Sequence, residues 1–428
     1  MTSDTLAAVG FWDALVDRFA VRATSRPRKL RAYRALVESG AMTEATTLYR
    51  AGALTLSPPS RYLINRSGGR KKTIYIFPPR EELLMKGLNL ALQPFSDLHS
   101  PLCHSFQHGR GVRTAYAALR SIAGLDSMSC LHLDVREYFA SIPAERLLHS
   151  LPRQLADDVP FLKLLREMLL EPAVVVDGHV EADSRKGVLA GTPLAPLLAN
   201  LYLRPLDDMF EAAGVAYLRY ADDLIVFGSP SEIASHREAL EGRLAELGLE
   251  TNQRKTRVSP AGAAWEFLGL RHERGRIDLA STTVDKMRHR ARRLARRARG
   301  RPNAARYVIR RLNRKLYGVG VDVSRFTWST WFFPLIDSDV TLRRLDGVIQ
   351  EQLRFAATGR HEPRNRGAVS YTQLTEAGYL PLVTAYRAYR RGPADFENLL
   401  ERRLWPSRSV KGREAAETAP PRDEARPG

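Results

Sequence analysis

Tyr217-Leu218-Arg219-Tyr220-Ala221-Asp222-Asp223-Leu224-Ile225-Val226-Phe227-Gly228 sets two adjacent carboxylates between two apolar, β-prone runs. This pattern predicts a tight hairpin with Asp222 and Asp223 held at its turn. Burial of aromatic and β-branched residues on both sides would stiffen that turn. Paired carboxylates on a stiff support suit a hard divalent cation such as Mg²⁺. Read alone, the same stretch also describes an acidic surface turn, so the flanking segments must decide.

Working outward, Leu131-His132-Leu133-Asp134-Val135 reads as a strand, with a helix starting near Pro143. Asp134 then falls at the carboxyl end of a buried strand, a position that a simple helix cap also occupies. The stretch Lys186–Leu203 reads as a glycine-containing loop opening into an apolar helix. Gly191 would let the backbone approach a flat ring or a phosphate, and Pro193 and Pro196 stiffen the entry. After the hairpin, Ser231–Leu247 reads as a helix, residues 249–256 present Lys255, and Trp265–Leu270 forms a short hairpin strand. Nearer the N-terminus, Tyr62–Pro78 predicts a β-hairpin with a Gly68-Gly69 turn and a cationic returning strand. Its Arg70, Lys71 and Lys72 could close over a triphosphate, or form a solvated charged turn. The loop His104–Arg113 leads into a helix, with Arg110 and Arg113 as candidate phosphate or template contacts. Its two histidines lack a matching metal-ligand set.

The 428 residues are 44% hydrophobic and suffice for two or three domains with a sizeable core. Lys plus Arg number 66 against 47 acidic residues, a net charge of +19 that favours a polyanionic partner, above all nucleic acid. Cys103 and Cys130 cannot build a disulfide framework or a cysteine-rich zinc site, which fits a reducing, cytoplasmic setting. The first residues lack the pattern of a signal peptide, and no apolar run approaches the ~18 residues of a membrane span. Residues 5–50 show helical periodicity, broken at Ser57-Pro58-Pro59-Ser60. From Lys286 to Lys315 arginine dominates, with Arg288, Arg292, Arg296 and Arg299 crowding one helix that should not be core. A polyanion track is the expectation. Trp328–Tyr389 reads as a helical bundle, and the tail beyond Trp405 as disordered.

A strand-borne Asp134, a Gly-Pro loop, Tyr-Ala-Asp-Asp, a lysine and Phe-Leu-Gly, in that order, resemble the fingers and palm of a reverse transcriptase. The resemblance implies an α+β right-hand polymerase with an α-helical thumb. Its domain plan would be an N-terminal extension at 1–56, fingers and palm at 57–280, a basic thumb at 281–405 and a tail at 406–428. It implies catalysis by Asp134, Asp222 and Asp223, with Val135 joining them around two Mg²⁺ ions, or Mn²⁺ in their place. Lys72, Phe139, Gly191, Pro193 and Lys255 would contact the nucleotide, Phe139 by excluding a ribose 2′-hydroxyl. Phe267, Leu268 and Gly269 are similar to the primer grip. The implied partners are an RNA template, dNTPs and a cDNA product, with no membrane.

Ala190 and Ala195 stand where intron- and retron-type enzymes usually carry Gln and Ser. The loop Ala190–Leu194 and, more weakly, the stretch Tyr371–Val383 are similar to prokaryotic reverse transcriptases linked to antiviral defence. Such an enzyme would work on a dedicated structured noncoding RNA. No zinc-ligand endonuclease cluster follows. A retron- or intron-like enzyme and a non-catalytic RNA-binding scaffold are the alternatives.

Overall fold

The computed structural model describes residues 1–22, 27–65, 71–95, 98–170, 173–183, 187–318, 327–362 and 364–404. Arg70, the Gly68-Gly69 turn and the tail beyond Trp405 lie outside the described residues. The chain divides into two compact units, 1–263 and 264–428. The fold is α+β, with antiparallel sheets among many helices.

The first unit carries two four-stranded sheets. One has the order β2-β1-β4-β5, from β1 (Ser60–Asn65), β2 (Lys71–Ile76), β4 (Ala173–Val176) and β5 (His179–Ala182). β1 and β2 pair antiparallel from Ser60↔Ile76 to Asn65↔Lys71, the expected cationic hairpin. The second sheet has the order β6-β7-β3-β8, from β3 (Ser129–Asp134), β6 (Tyr217–Tyr220), β7 (Asp223–Gly228) and β8 (Arg257–Ser259). β3 is central, so almost every side chain on it is buried.

The apolar runs of β3 and β7 explain that burial. Leu131, Leu133, Leu224 and Val226 join one core with Leu197, Leu198 and Leu201 of the helix Ala195–Tyr202. The helix Pro230–Glu246 begins at a Ser229/Glu232 capping box with proline in its first turn. The N-terminal helices belong to the same core through Leu6, Trp12, Leu15 and Tyr49. Gly87 explains how they dock: a Cβ there would lie 2.7 Å from the Trp12 ring. Residues 1–56 are therefore part of the first unit.

The second unit opens with a meander of β9 (Trp265–Phe267), β10 (Leu270–Glu273) and β11 (Arg276–Leu279), followed by helices. The arginine-rich stretch forms two helices, Ser281–Ala298 and Ala304–Leu316, with Arg299 in the break between them. The expectation that the first of these is no part of a core needs correcting. Thr283, Met287, Ala291, Ala295 and Ala298 make a buried stripe against the helix Val340–Thr358. Small residues at three- and four-residue spacing let the two backbones approach, while the arginines take the remaining faces.

Candidate active site

The β6–β7 hairpin closes through two residues, Ala221 and Asp222, because Tyr220 pairs with Asp223. Asp223 is thus the first residue of the returning strand rather than part of the turn. Ala221 sits at φ 60°, the left-handed region that such short loops require. An alanine pays strain there, and its surroundings hold it in place. The Ala221 N–H donates to Ser105 Oγ at 2.8 Å, and Arg219 Nη1 donates to the Ala221 carbonyl at 3.3 Å. Val135 N–H donates to the Asp222 carbonyl at 3.1 Å, which fastens the tip to the end of β3.

These contacts bring the three aspartates together. Asp134 lies opposite Asp223 in the β3–β7 ladder, and Asp222 projects from the adjoining turn. Asp222 is pushed up to about 6, first by burial and then by the charges of Asp223 and Asp134. Lys255 partly offsets this crowding: its Nζ lies 2.6 Å from Asp134 Oδ2. Asn252 Nδ2 donates to the other Asp134 oxygen at 3.0 Å, and His132 Nε2 lies 3.4 Å from Asp223 Oδ1. Among the described residues no three His, Cys, Asp or Glu side chains are grouped tightly enough to hold an ion as they stand. The donor chemistry nevertheless fits hard cations: three carboxylates, one of them destabilised by its like-charged neighbours, face one lysine. Val135 is buried by its side chain, so only its carbonyl could join that set.

Two of the nucleotide-pocket candidates are in contact. Lys72 Nζ lies over the Phe139 ring, 6.0 Å from its centroid. Gly191 has φ 104°, and a Cβ there would come within 3.2 Å of the Tyr75 carbonyl on β2. Tyr75 N–H donates to the Ala190 carbonyl, and Asn89 Nδ2 to the Pro193 carbonyl. The loop is thereby laid along the strand that carries Lys72. Lys71 is exposed at the start of that strand.

Other expected contacts are placed differently. Arg110 Nη1 is committed to the carbonyls of Pro101 (2.6 Å) and Cys103 (3.2 Å), so this nitrogen braces its own loop. Arg113 is exposed on the following helix. Phe267 is 1% exposed in the core of the second unit, which leaves only the Leu268-Gly269 turn to meet a nucleic acid. That turn has φ 49° and 82°, and Thr283 packs where a Gly269 Cβ would sit. Arg292, Arg296 and Arg299 are exposed, whereas Arg288 is half-buried and paired with Asp285 at 3.1 Å.

Sequence reasoning missed the supporting set. Arg219 and Asp207 are both fully buried and paired at 2.5 Å. Arg219 also donates to Asn200 Oδ1 at 3.1 Å, and Tyr217 OH donates to Asp207 at 2.9 Å. The available signal was an arginine in the middle of an otherwise apolar strand.

Residues 81–272 match the family described as reverse transcriptase (RNA-dependent DNA polymerase). That span holds Asp134, Phe139, the Gly191 loop, the Asp222-Asp223 hairpin and Lys255. Over that span the chain is similar to RNA-directed DNA polymerases. The chain is 31% identical over 163 residues to an uncharacterized 91 kDa protein in the cob intron of Schizosaccharomyces pombe. The match takes in 36% of this chain and 19% of that protein, so the chain spans about a fifth of the length of this relative. Two solved telomerase structures are similar to it. Apo telomerase from Candida tropicalis, truncated from its C-terminal domain, shares 14% identity over 55% of this chain and 59% of that one, with a TM-score of 0.41. Telomerase from Candida albicans in complex with a TWJ fragment of telomeric RNA shares 13% identity over 93% and 72%, with a TM-score of 0.43. No helix among the described residues is long and apolar enough to cross a membrane.

Proposed function

We propose that this chain is an RNA-directed DNA polymerase that copies a dedicated structured RNA into cDNA in antiviral defence. The observation that carries the polymerase reading is the meeting of Asp134, Asp222 and Asp223 at the end of β3 and the tip of the β6–β7 hairpin. Those carboxylates, with the Val135 carbonyl, are the donors that would hold two divalent ions. When bound, Mg²⁺ neutralises the triphosphate and makes a primer 3′-hydroxyl more acidic.

The chain's own residues do the rest. Lys255 supplies a positive charge beside Asp134 and can turn toward a leaving phosphate, because its side chain is 59% exposed. Lys72 extends toward the triphosphate from β2. Phe139 offers a broad face at the sugar edge and so disfavours a ribonucleotide. Asn252 holds the Asp134 carboxylate in one orientation. The defence assignment is supported by the loop Ala190–Leu194 and the stretch Tyr371–Val383, whose likeness is to that group.

The test is primer extension on an RNA template with Mg²⁺, run with deoxy- and ribonucleotides, beside an Asp222→Ala protein. Wild-type extension restricted to deoxynucleotides, and none by the variant, is expected. Equal extension by both proteins would refute the site. Sequencing of nucleic acid that copurifies with the wild type, but not as cDNA with the variant, reads the template.

A further inference from the structure

The second unit holds a cavity of about 830 Å³ on the second helix of the arginine-rich stretch, sharing no residue with the carboxylate site. It is lined along the helix Ala304–Leu316 by Arg306, Tyr307, Arg310, Arg311 and Arg314, with Leu404 at its rim. These positions recur at three- and four-residue spacing, so they form one stripe of the helix. The opposite stripe, Val308, Ile309, Leu312 and Leu316, is buried and fixes which way the arginines face. Among the described residues no acidic side chain lines the cavity.

Two features separate this cavity from an ordinary solvated basic face. The first is concavity: Arg306, Arg310, Arg311 and Arg314 line one half-open recess, where an anion would relieve their mutual repulsion. The second is Tyr307. Arg301 lies over its ring at 4.9 Å from the centroid and Arg311 at 5.6 Å. Tyr307 thus sets an aromatic ring among phosphate-binding guanidinium groups. Arg306, Arg310 and Arg314 follow one another at single-turn intervals, ~6 Å along the axis. That spacing suits successive phosphates of an extended strand.

We propose that this cavity binds single-stranded nucleic acid, with one base stacked on the Tyr307 platform and the flanking phosphates held by Arg306, Arg310 and Arg314. Stacking requires an unpaired base, so the site selects single strands over duplex. It does not depend on the polymerase reading, because no residue of it belongs to the carboxylate site.

The test uses the full-length protein and a short single-stranded RNA carrying one 5-iodouridine, which crosslinks under light to an aromatic ring stacked upon it. Crosslinking to the peptide containing Tyr307 is expected, retained in Tyr307→Phe and in Asp222→Asn. Tyr307→Ala should weaken single-strand binding about tenfold with the same salt dependence. Arg310→Gln/Arg314→Gln should flatten the salt dependence by roughly two phosphate contacts. Crosslinks elsewhere only, or a Tyr307→Ala protein that binds as the wild type does, would overturn the proposal. Equal competition by inorganic polyphosphate at matched charge would do so as well, by reducing the cavity to a general anion site. Loss of crosslinking in Asp222→Asn would assign the contact to the polymerase site instead.

Discussion

Asp207 and Asp222 are both served by the β6–β7 hairpin, and they are satisfied on opposite plans. Asp207 is fully buried and accepts from Arg219 Nε and Nη2 and from Tyr217 OH. Burial works against the charge on Arg219, and Asp207, with Cys103 and Tyr217, more than offsets it. Asp222, in the hairpin turn, has no ion pair of this kind among the described residues. It is part-buried among carboxylates, and its affinity for protons is raised in consequence. One carboxylate completes the protein's own structure. The other is left with unspent charge, and such frustration is what a ligand site holds in reserve.

The comparison breaks most visibly at Arg219. Arg219→Met should cost about 3–5 kcal/mol, because it strands Asp207 in the interior without a counter-charge. Urea denaturation measures this, and adding Asp207→Leu should restore part of the loss. A single variant as stable as the wild type would show that the pair is dispensable. Asp222→Asn should do the reverse. Its melting temperature with a chelator present should equal or exceed that of the wild type, while primer extension falls by about 10²–10³-fold. Destabilisation comparable with Arg219→Met would mean that Asp222 is structural after all.

Ser105→Ala should fall between these extremes. It removes the acceptor for the strained Ala221 N–H, a loss of about 1–3 kcal/mol, and it loosens the tip without touching the carboxylates. Unchanged stability together with unchanged extension would dismiss the brace.

The gentlest probe is acid. His104 is pushed down to about 4, by burial first and by Arg110 next. The unfolded chain takes up that proton near 6.5, so stability present above 6.5 should drain away as the pH falls toward 4. Asp222 has the opposite sign: its charged form is penalised in the fold, so acid relieves it over the window from about 6 down to 3.8. Difference curves of His104→Gln and Asp222→Asn against the wild type, without divalent ions, should therefore slope in opposite directions. Parallel slopes would contradict the assigned environments.

Much of the fold was legible because its signals are local. The apolar, β-prone runs in Tyr217–Gly228, the proline at the head of the helix Ala195–Tyr202 and the apolar run of β3 each specify an element by short-range rules. The three aspartates could be picked out because carboxylates at strand ends are conspicuous. What stayed hidden depends on pairing across distance. Arg219 was one polar residue in an apolar run until Asp207, twelve positions earlier, proved to be buried with it. Arg110 looked free until its nitrogen was found on the carbonyls of its own loop. Lys255 was recognised as a cation, but only the fold sets it on Asp134. The alanine stripe on Ser281–Ala298 was masked by the arginines interleaved with it.

Beside the Ser105 and Arg219 contacts, main-chain bonds tie the acidic segments together: Val135 N–H to the Asp222 carbonyl, and Asn252 N–H to the Asp134 carbonyl at 2.7 Å. Peptide groups do not change when a side chain is replaced. A protein disarmed at any of these acidic positions should thus keep the shape of the wild type, and, on the proposed function, would serve as a snare that retains the strand it can no longer copy.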